Sequence, residues 1–331
     1  MNWFTEPLQH TFMQHAFVAI VMVGVICGVT GVFVTLRGLA FMGDALSHAI
    51  FPGVVIAYIF GGNFLIGALI AAILVSLGIG AVSQHTRLTN DTAIGVLFAG
   101  GFALGIALIS AQRTYTKDLA SFLIGSILGV SMQDLYLTGA VGFVVLALIV
   151  IFRRELTVTS FDRTFAQATG LNLWAWDQLF LILLSLAIVI SLQTVGNILV
   201  LALLVTPAAT ARLLTDRLRV MMVFSAIDGA ISGVVGLYVS YHLGIASGAS
   251  VVLVATCLFL VAFLFAPRAG MVKLALDRRL HFPHPERDVF PHEAEPAIPY
   301  GESLSHHAER VEAPDPADGG EDGRRTSLGM P

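Results

Sequence analysis

The chain has 331 residues, of which 56% are hydrophobic and only 12% charged, with a formal net charge of −4 and a mean hydropathy of +0.83. That is far more apolar surface than one soluble core can use, so the composition excludes a single water-soluble domain and points to a multi-pass membrane protein. Long apolar runs between short polar loops predict an all-α, polytopic transmembrane bundle of about eight or nine spans, some of them broken or re-entrant.

Residues 1–15 mix aromatic and polar side chains and are expected to lie along the interface, Trp3 being an interfacial residue type. They lack a basic n-region and a small-residue cleavage site, so they do not read as a cleaved signal peptide. The first span is expected over residues 16–36, where Gly24, Gly28 and Gly31 have the small-residue spacing that allows close helix contact in lipid. Cys27 in this span and Cys257 near the other end lie in separate apolar runs with no Cys-x-x-Cys or Cys/His spacing, and they carry no redox information.

The second span, about 39–60, holds the stretch around which the chain is organised, GLAFMGDALSHAIFPGV. Asp44 and His48 are four residues apart, so on a helix they lie on one face, separated by one turn of roughly 6 Å. Ser47 is expected on the same face, Gly43 and Ala45 leave room around it, and Pro52 with Gly53 loosens the helix one turn on. A charge near the bilayer centre costs at least about 3 kcal/mol, so such a pair faces a cavity, a partner or an ion rather than lipid. A carboxylate with an imidazole is also a ligand set for Mn, Fe or Zn. The same pair could instead serve packing and helix registration.

A turn at residues 61–63 leads to a third span at about 64–83, and a polar segment, 84–91, to a fourth at 92–111. The apolar run SFLIGSILGVS is only about a dozen residues long and suits a half-helix or re-entrant segment. A span over 135–152 runs into a long polar stretch to Asp177. Spans at about 178–195, 220–241 and 250–266 follow, with a proline-interrupted helix, NILVLALLVTPAATARLLT, between the first two.

Arg153, Arg154 and Arg163, then Arg212, Arg217 and Arg219, then Arg268, Lys273, Arg278 and Arg279 form three basic regions. Placing all three inside the cell lets the spans alternate, with the C-terminus cytoplasmic and the N-terminus outside. Residues 278–331 hold six Lys/Arg against eleven Asp/Glu, a net charge of −5, and five of the ten histidines: His281, His284, His292, His306 and His307. The chain therefore divides into an N-terminal segment 1–15, a membrane domain 16–268 and a cytoplasmic, mostly disordered tail 269–331. The tail histidines, mixed with acids, either bind divalent metal loosely or are incidental.

RGLAFMGDALSHAIFPGV, DTAIGVLFAGGFALGIAL, SLQTVGNILVLALLVTPAATARLL and SYHLGIASGASVVL resemble, in this order, the successive blocks of the membrane permeases of ATP-binding-cassette (ABC) importers for manganese, zinc and iron. The resemblance runs from about residue 20 to 268. It implies a homodimeric permease, a pair of cytoplasmic ATPase subunits, and an extracytoplasmic metal-binding protein that delivers the ion. It places metal-coordinating positions at Asp44 and His48. Two protomers meeting at a two-fold axis would supply two Asp and two His around one point. The absence of Cys or a Met pair on that face argues against Cu(I), while O and N donors leave Mn, Zn and Fe open. The ion is cargo, no permanently bound cofactor is implied, and no nucleic-acid partner.

No G-x-x-x-x-G-K-[ST] occurs, and the only lysines are Lys117 and Lys273, so the chain is expected to hydrolyse no ATP itself. FDRTFAQATG resembles the coupling helix of ABC permeases. There Asp162 caps a short helix, Phe165 and Ala166 offer an apolar contact face, and Gly170 ends it. Asp228 lies about eight residues into its span, where a structural pairing and a role in the ion pathway are both open. His242 is either a contact for the binding protein or gate, or a solvated loop residue. From other classes, an ion-coupled secondary transporter or channel for divalent metal is the rival, discriminated by dependence on a separate ATPase. An ABC permease for a metal chelate is the closer alternative, but a bulky organic substrate gives no reason for an intramembrane Asp/His pair.

Overall fold

The computed structural model describes residues 6–85, 90–111 and 127–266, and among these every regular element is a helix. Nine of the described segments are long and apolar enough to cross a membrane. The acidic tail and the segment before Ile127 that carries most of the expected half-helix lie outside the described residues; of that half-helix a single 3-10 turn, Ile127–Gly129, is described.

Helix α1 (Thr11–Leu36) is apolar on every side, the pattern of a helix enclosed by others. It begins five residues before the expected span, so part of the N-terminal segment is helical. Around it pack α6 (Met132–Ile151), α9 (Leu173–Val195), α10 (Asn197–Leu214) and α11 (Leu218–Leu243). Between apolar helices in lipid there is little hydrophobic driving force, so close backbone approach and buried hydrogen bonds have to hold them. Both occur here: a Cβ at Gly24 would lie 2.7 Å from the Gly229 carbonyl carbon, and one at Gly28 2.6 Å from the Ser225 carbonyl oxygen. Ser225 Oγ donates to the Gly28 carbonyl at 2.7 Å.

Helix α9 is the second enclosed element, burying Phe180, Leu183, Leu184, Ala187 and Ile188. It starts at Leu173, five residues earlier than expected, because the Asn172 side chain accepts from the Ala175 N–H and turns a stretch that reads as loop into a first helical turn. Buried hydroxyl pairs tie it to its neighbours, Ser76 with Ser185 at 3.0 Å and Thr138 with Thr194 at 2.9 Å. At Gly196, with φ of 88°, the chain breaks into α10, which then runs through Pro207 without interruption. Pro207 is buried among packed helices, a setting that tolerates the missing N–H.

The outer helices are α4 (Phe64–His85), α5 (Asn90–Ser110), α6 and α12 (Ser247–Phe265). They leave Ile66, Leu74, Val96, Leu104, Phe143, Val144, Leu260 and Phe265 exposed, as lipid-facing surfaces must. The expected second span is two helices, α2 (Met42–Ala49) and α3 (Phe51–Ile59), joined at Ile50. Pro52 sits in the first turn of α3, where its lack of an N–H costs nothing, and this sets the break one residue after α2 ends.

Candidate metal centre

The break at Ile50 gives α2 two ends of its own only eight residues apart. Asp44 lies in its first turn and His48 in its last. Gly43 lets this helix rest on α10, since a Cβ there would lie 2.9 Å from Leu204 Cδ2.

His48 Nε2 stands 3.6 Å from Asp44 Oδ1. Two donors each about 2.1 Å from a first-row ion are about 3.0 Å apart at a right angle and about 3.4 Å apart at a tetrahedral angle, so the pair needs little adjustment to share one. The His48 ring is held by Phe98 and Phe102 of α5, with centroids 5.7 and 5.2 Å away, the latter edge-on. Its Nδ1 is buried without a hydrogen-bond partner, which leaves Nε2 as the nitrogen turned to the carboxylate. The Asp44 side chain is 45% exposed and that of His48 27%, so in one chain the pair is open on one side.

Asn197, the first residue of α10, donates from Nδ2 to Asp44 Oδ1 at 3.1 Å. Sequence reasoning missed it, for an amide after a glycine at a helix start reads as a local cap; the only signal was one more polar residue inside an apolar run. Ser47 does not join the site as expected. It is fully buried and its hydroxyl bonds back to the Asp44 carbonyl at 2.7 Å. Among the described residues no third His, Cys, Asp or Glu comes together with the pair.

Asp228 is not part of this centre. It is half-buried on α11 beside the Thr210 hydroxyl of α10, with Oδ2 unpaired. Thr210 and Asn197 are thirteen residues apart on one helix, about 20 Å along its axis, and each marks the depth of one carboxylate. His242 ends α11, half-buried and edge-on to Tyr241 at 5.3 Å.

At the Arg37 end of α1, helices α7 (Arg153–Phe161) and α8 (Arg163–Ala168) form a corner. Asp162 Oδ1 accepts from the Phe165 N–H at 2.8 Å, and Gly170, with φ of 82°, lets the Leu171 N–H close on the Ala166 carbonyl at 3.1 Å. Cap and stop therefore stand where the sequence put them. Phe165 and Ala166, however, do not share an outward face. Neighbours in a six-residue helix point different ways, and Ala166 is fully buried in its own chain while Phe165 is 56% exposed. The corner is tied to the bundle by Asp177 of α9, which binds Arg37 at 2.7 Å and Arg163 at 2.8 Å. Arg37 also donates to Ser160 and Thr159 and lies over the Phe180 ring at 4.4 Å.

The model of the ABC 3 transport family matches residues 9–266, which includes every helix described above. The chain belongs to the ABC 3 transport family. It is a multi-pass membrane component of that transport family. Among ABC 3 relatives, it is 49% identical over 270 residues to the manganese transport system membrane protein MntC of Halalkalibacterium halodurans, covering 82% of this chain and 92% of that one. It is 40% identical over 267 residues to a Haemophilus influenzae protein named "Probable iron transport system membrane protein", covering 81% and 94%. A solved structure, PsaBC from Streptococcus pneumoniae in complex with Fab, superposes with a TM-score of 0.73 at 38% identity over 83% of this chain and 99% of that one.

Proposed function

We propose that this chain is the permease of an ABC importer for a divalent first-row metal ion, manganese before iron or zinc, and that Asp44 and His48 are its transient ligands. The observation that carries this reading is the Asp44/His48 pair itself: two donors 3.6 Å apart and half-open on a short helix in a largely apolar bundle. Turned to lipid, that face would be costly, whereas turned to a second copy it would complete a site of two carboxylates and two imidazoles. Carboxylate-rich donor sets suit manganese, and the MntC relative bears that ion in its name.

The permease works as a homodimer with cytoplasmic ATPase subunits and an extracytoplasmic metal-binding protein. Its C-terminus lies in the cytoplasm, as the three basic regions favour, and its N-terminus lies opposite, a reading supported by the odd number of membrane-length helices among the described residues. The ATPases act through the corner from Asp162 to Gly170, exposed at Phe165 and anchored through Arg163, Asp177 and Arg37. Their closure would shift the α1 end, from which the chain passes in five residues to α2 and its ligands.

The deciding experiment is uptake of radiolabelled Mn, Fe and Zn by vesicles holding the permease with and without its ATPase. ATP-dependent manganese uptake, lost without the ATPase, is the expected result. Uptake that persists without the ATPase and follows a proton gradient would replace this reading with a secondary transporter.

A further inference from the structure

We propose that Asn197 is a positioning residue of the ion site, its amide N–H holding the Asp44 carboxylate beside His48 Nε2. The inference rests on the reading of Asp44 and His48 as ligands and deepens it.

Three observations carry it. Asn197 Nδ2 lies 3.1 Å from Asp44 Oδ1, the same oxygen that faces His48 at 3.6 Å, so one atom is located by both neighbours. The amide must present nitrogen rather than oxygen to that contact, because two acceptors facing each other would repel. The left-handed turn at Gly196 makes Asn197 the first residue of α10, fixed by a helix that packs against α2, while the 45% exposed Asp44 side chain is held by little else.

The chemistry of the group matters as much as its place. A ligand carboxylate gains from a partner that fixes its rotamer before the ion arrives. A lysine or arginine could also do this, but its charge would compensate the carboxylate and oppose a divalent cation. A neutral amide orients Asp44 and leaves its charge to the ion.

The test uses the full permease with its ATPase in proteoliposomes and Mn(II) as the probe. Asn197→Leu keeps the volume and removes the donor. Asn197→Ser stays polar, suits a helix start, and is too short to reach the carboxylate. In both, the Mn(II) Kd and the KM for uptake should rise roughly 10- to 100-fold, the usual effect of losing an outer-shell partner, while maximal uptake at saturating Mn(II) stays near wild type. Pulsed EPR of bound Mn(II) should show a weakened imidazole nitrogen coupling at subsaturating ion. Wild-type affinity and coupling in either variant overturns the proposal, as does a fall in maximal uptake with KM unchanged. Asp44→Ala separates the two levels: if it binds Mn(II) like wild type, the ion site itself is misplaced, whereas loss of binding there with wild-type affinity in Asn197→Leu removes only the positioning role.

Discussion

Asp44 and His48 form a half-open pair, whereas Thr138 with Thr194 and Ser76 with Ser185 are shut inside. Buried hydroxyl pairs satisfy each other and are structural; an open carboxylate and imidazole are available to a ligand. Asp44→Ala and His48→Ala should each lower Mn(II) uptake by more than about 100-fold, since a ligand is worth more than the outer-shell partner that supports it. Chain level and co-purification of the ATPase should remain, and uptake assays on matched vesicles check both; normal transport in the two variants would remove the assignment. The pair was legible in the sequence because charges stand out in apolar runs. Asn197 was not, because its role depends on α10 reaching α2 across 153 residues of chain. Nor was the misplacement of Ser47, whose hydroxyl had a nearer acceptor in its own helix.

Among the elements, α1 is the one with no freedom to change. Gly28→Val would push a Cβ to 2.6 Å from the Ser225 carbonyl and force α1 and α11 apart, a strain of about 1–3 kcal/mol in a packed core, together with the loss of the Ser225–Gly28 hydrogen bond. A lower thermal midpoint of the purified permease in detergent is the expected outcome, and an unchanged midpoint would show that the helices can separate cheaply. The α7–α8 corner makes a two-sided prediction. Phe165→Glu should keep the permease folded and release the ATPase, because that side chain is exposed and outside the core. Ala166→Arg should instead damage the corner itself, since a charged side chain would enter a site fully buried in its own chain. Co-purification of the ATPase with limited proteolysis of the permease distinguishes the two, and a Phe165→Glu variant that still holds its ATPase would move the coupling contact elsewhere. Cap and stop at Asp162 and Gly170 were visible as residue types; which of Phe165 and Ala166 turns outward depended on where α9 lies.

For the whole molecule, the membrane part and the acidic tail should be separable. Truncation after residue 280 removes a stretch of net charge −7 with few large apolar side chains, and membrane insertion and uptake should be unchanged. Western analysis of membrane fractions and a transport assay test this, and failure of the truncated chain to insert would show that the tail contributes to folding. The sequence by itself determined what lipid dictates: an all-helical bundle of about eight or nine long apolar spans and an intramembrane carboxylate–imidazole pair, because twenty-residue apolar runs and isolated charges are properties of the chain read locally. Only the tertiary structure decided that the second span breaks at Ile50, that Asp228 stands about 20 Å from the pair along α10, that Arg37 and Asp177 anchor the corner, and that Asn197 completes the polar face. Each of these turns on which helices touch, and in a bundle whose faces are nearly all apolar, contact is chosen by glycine spacing and single hydrogen bonds between segments far apart in the chain.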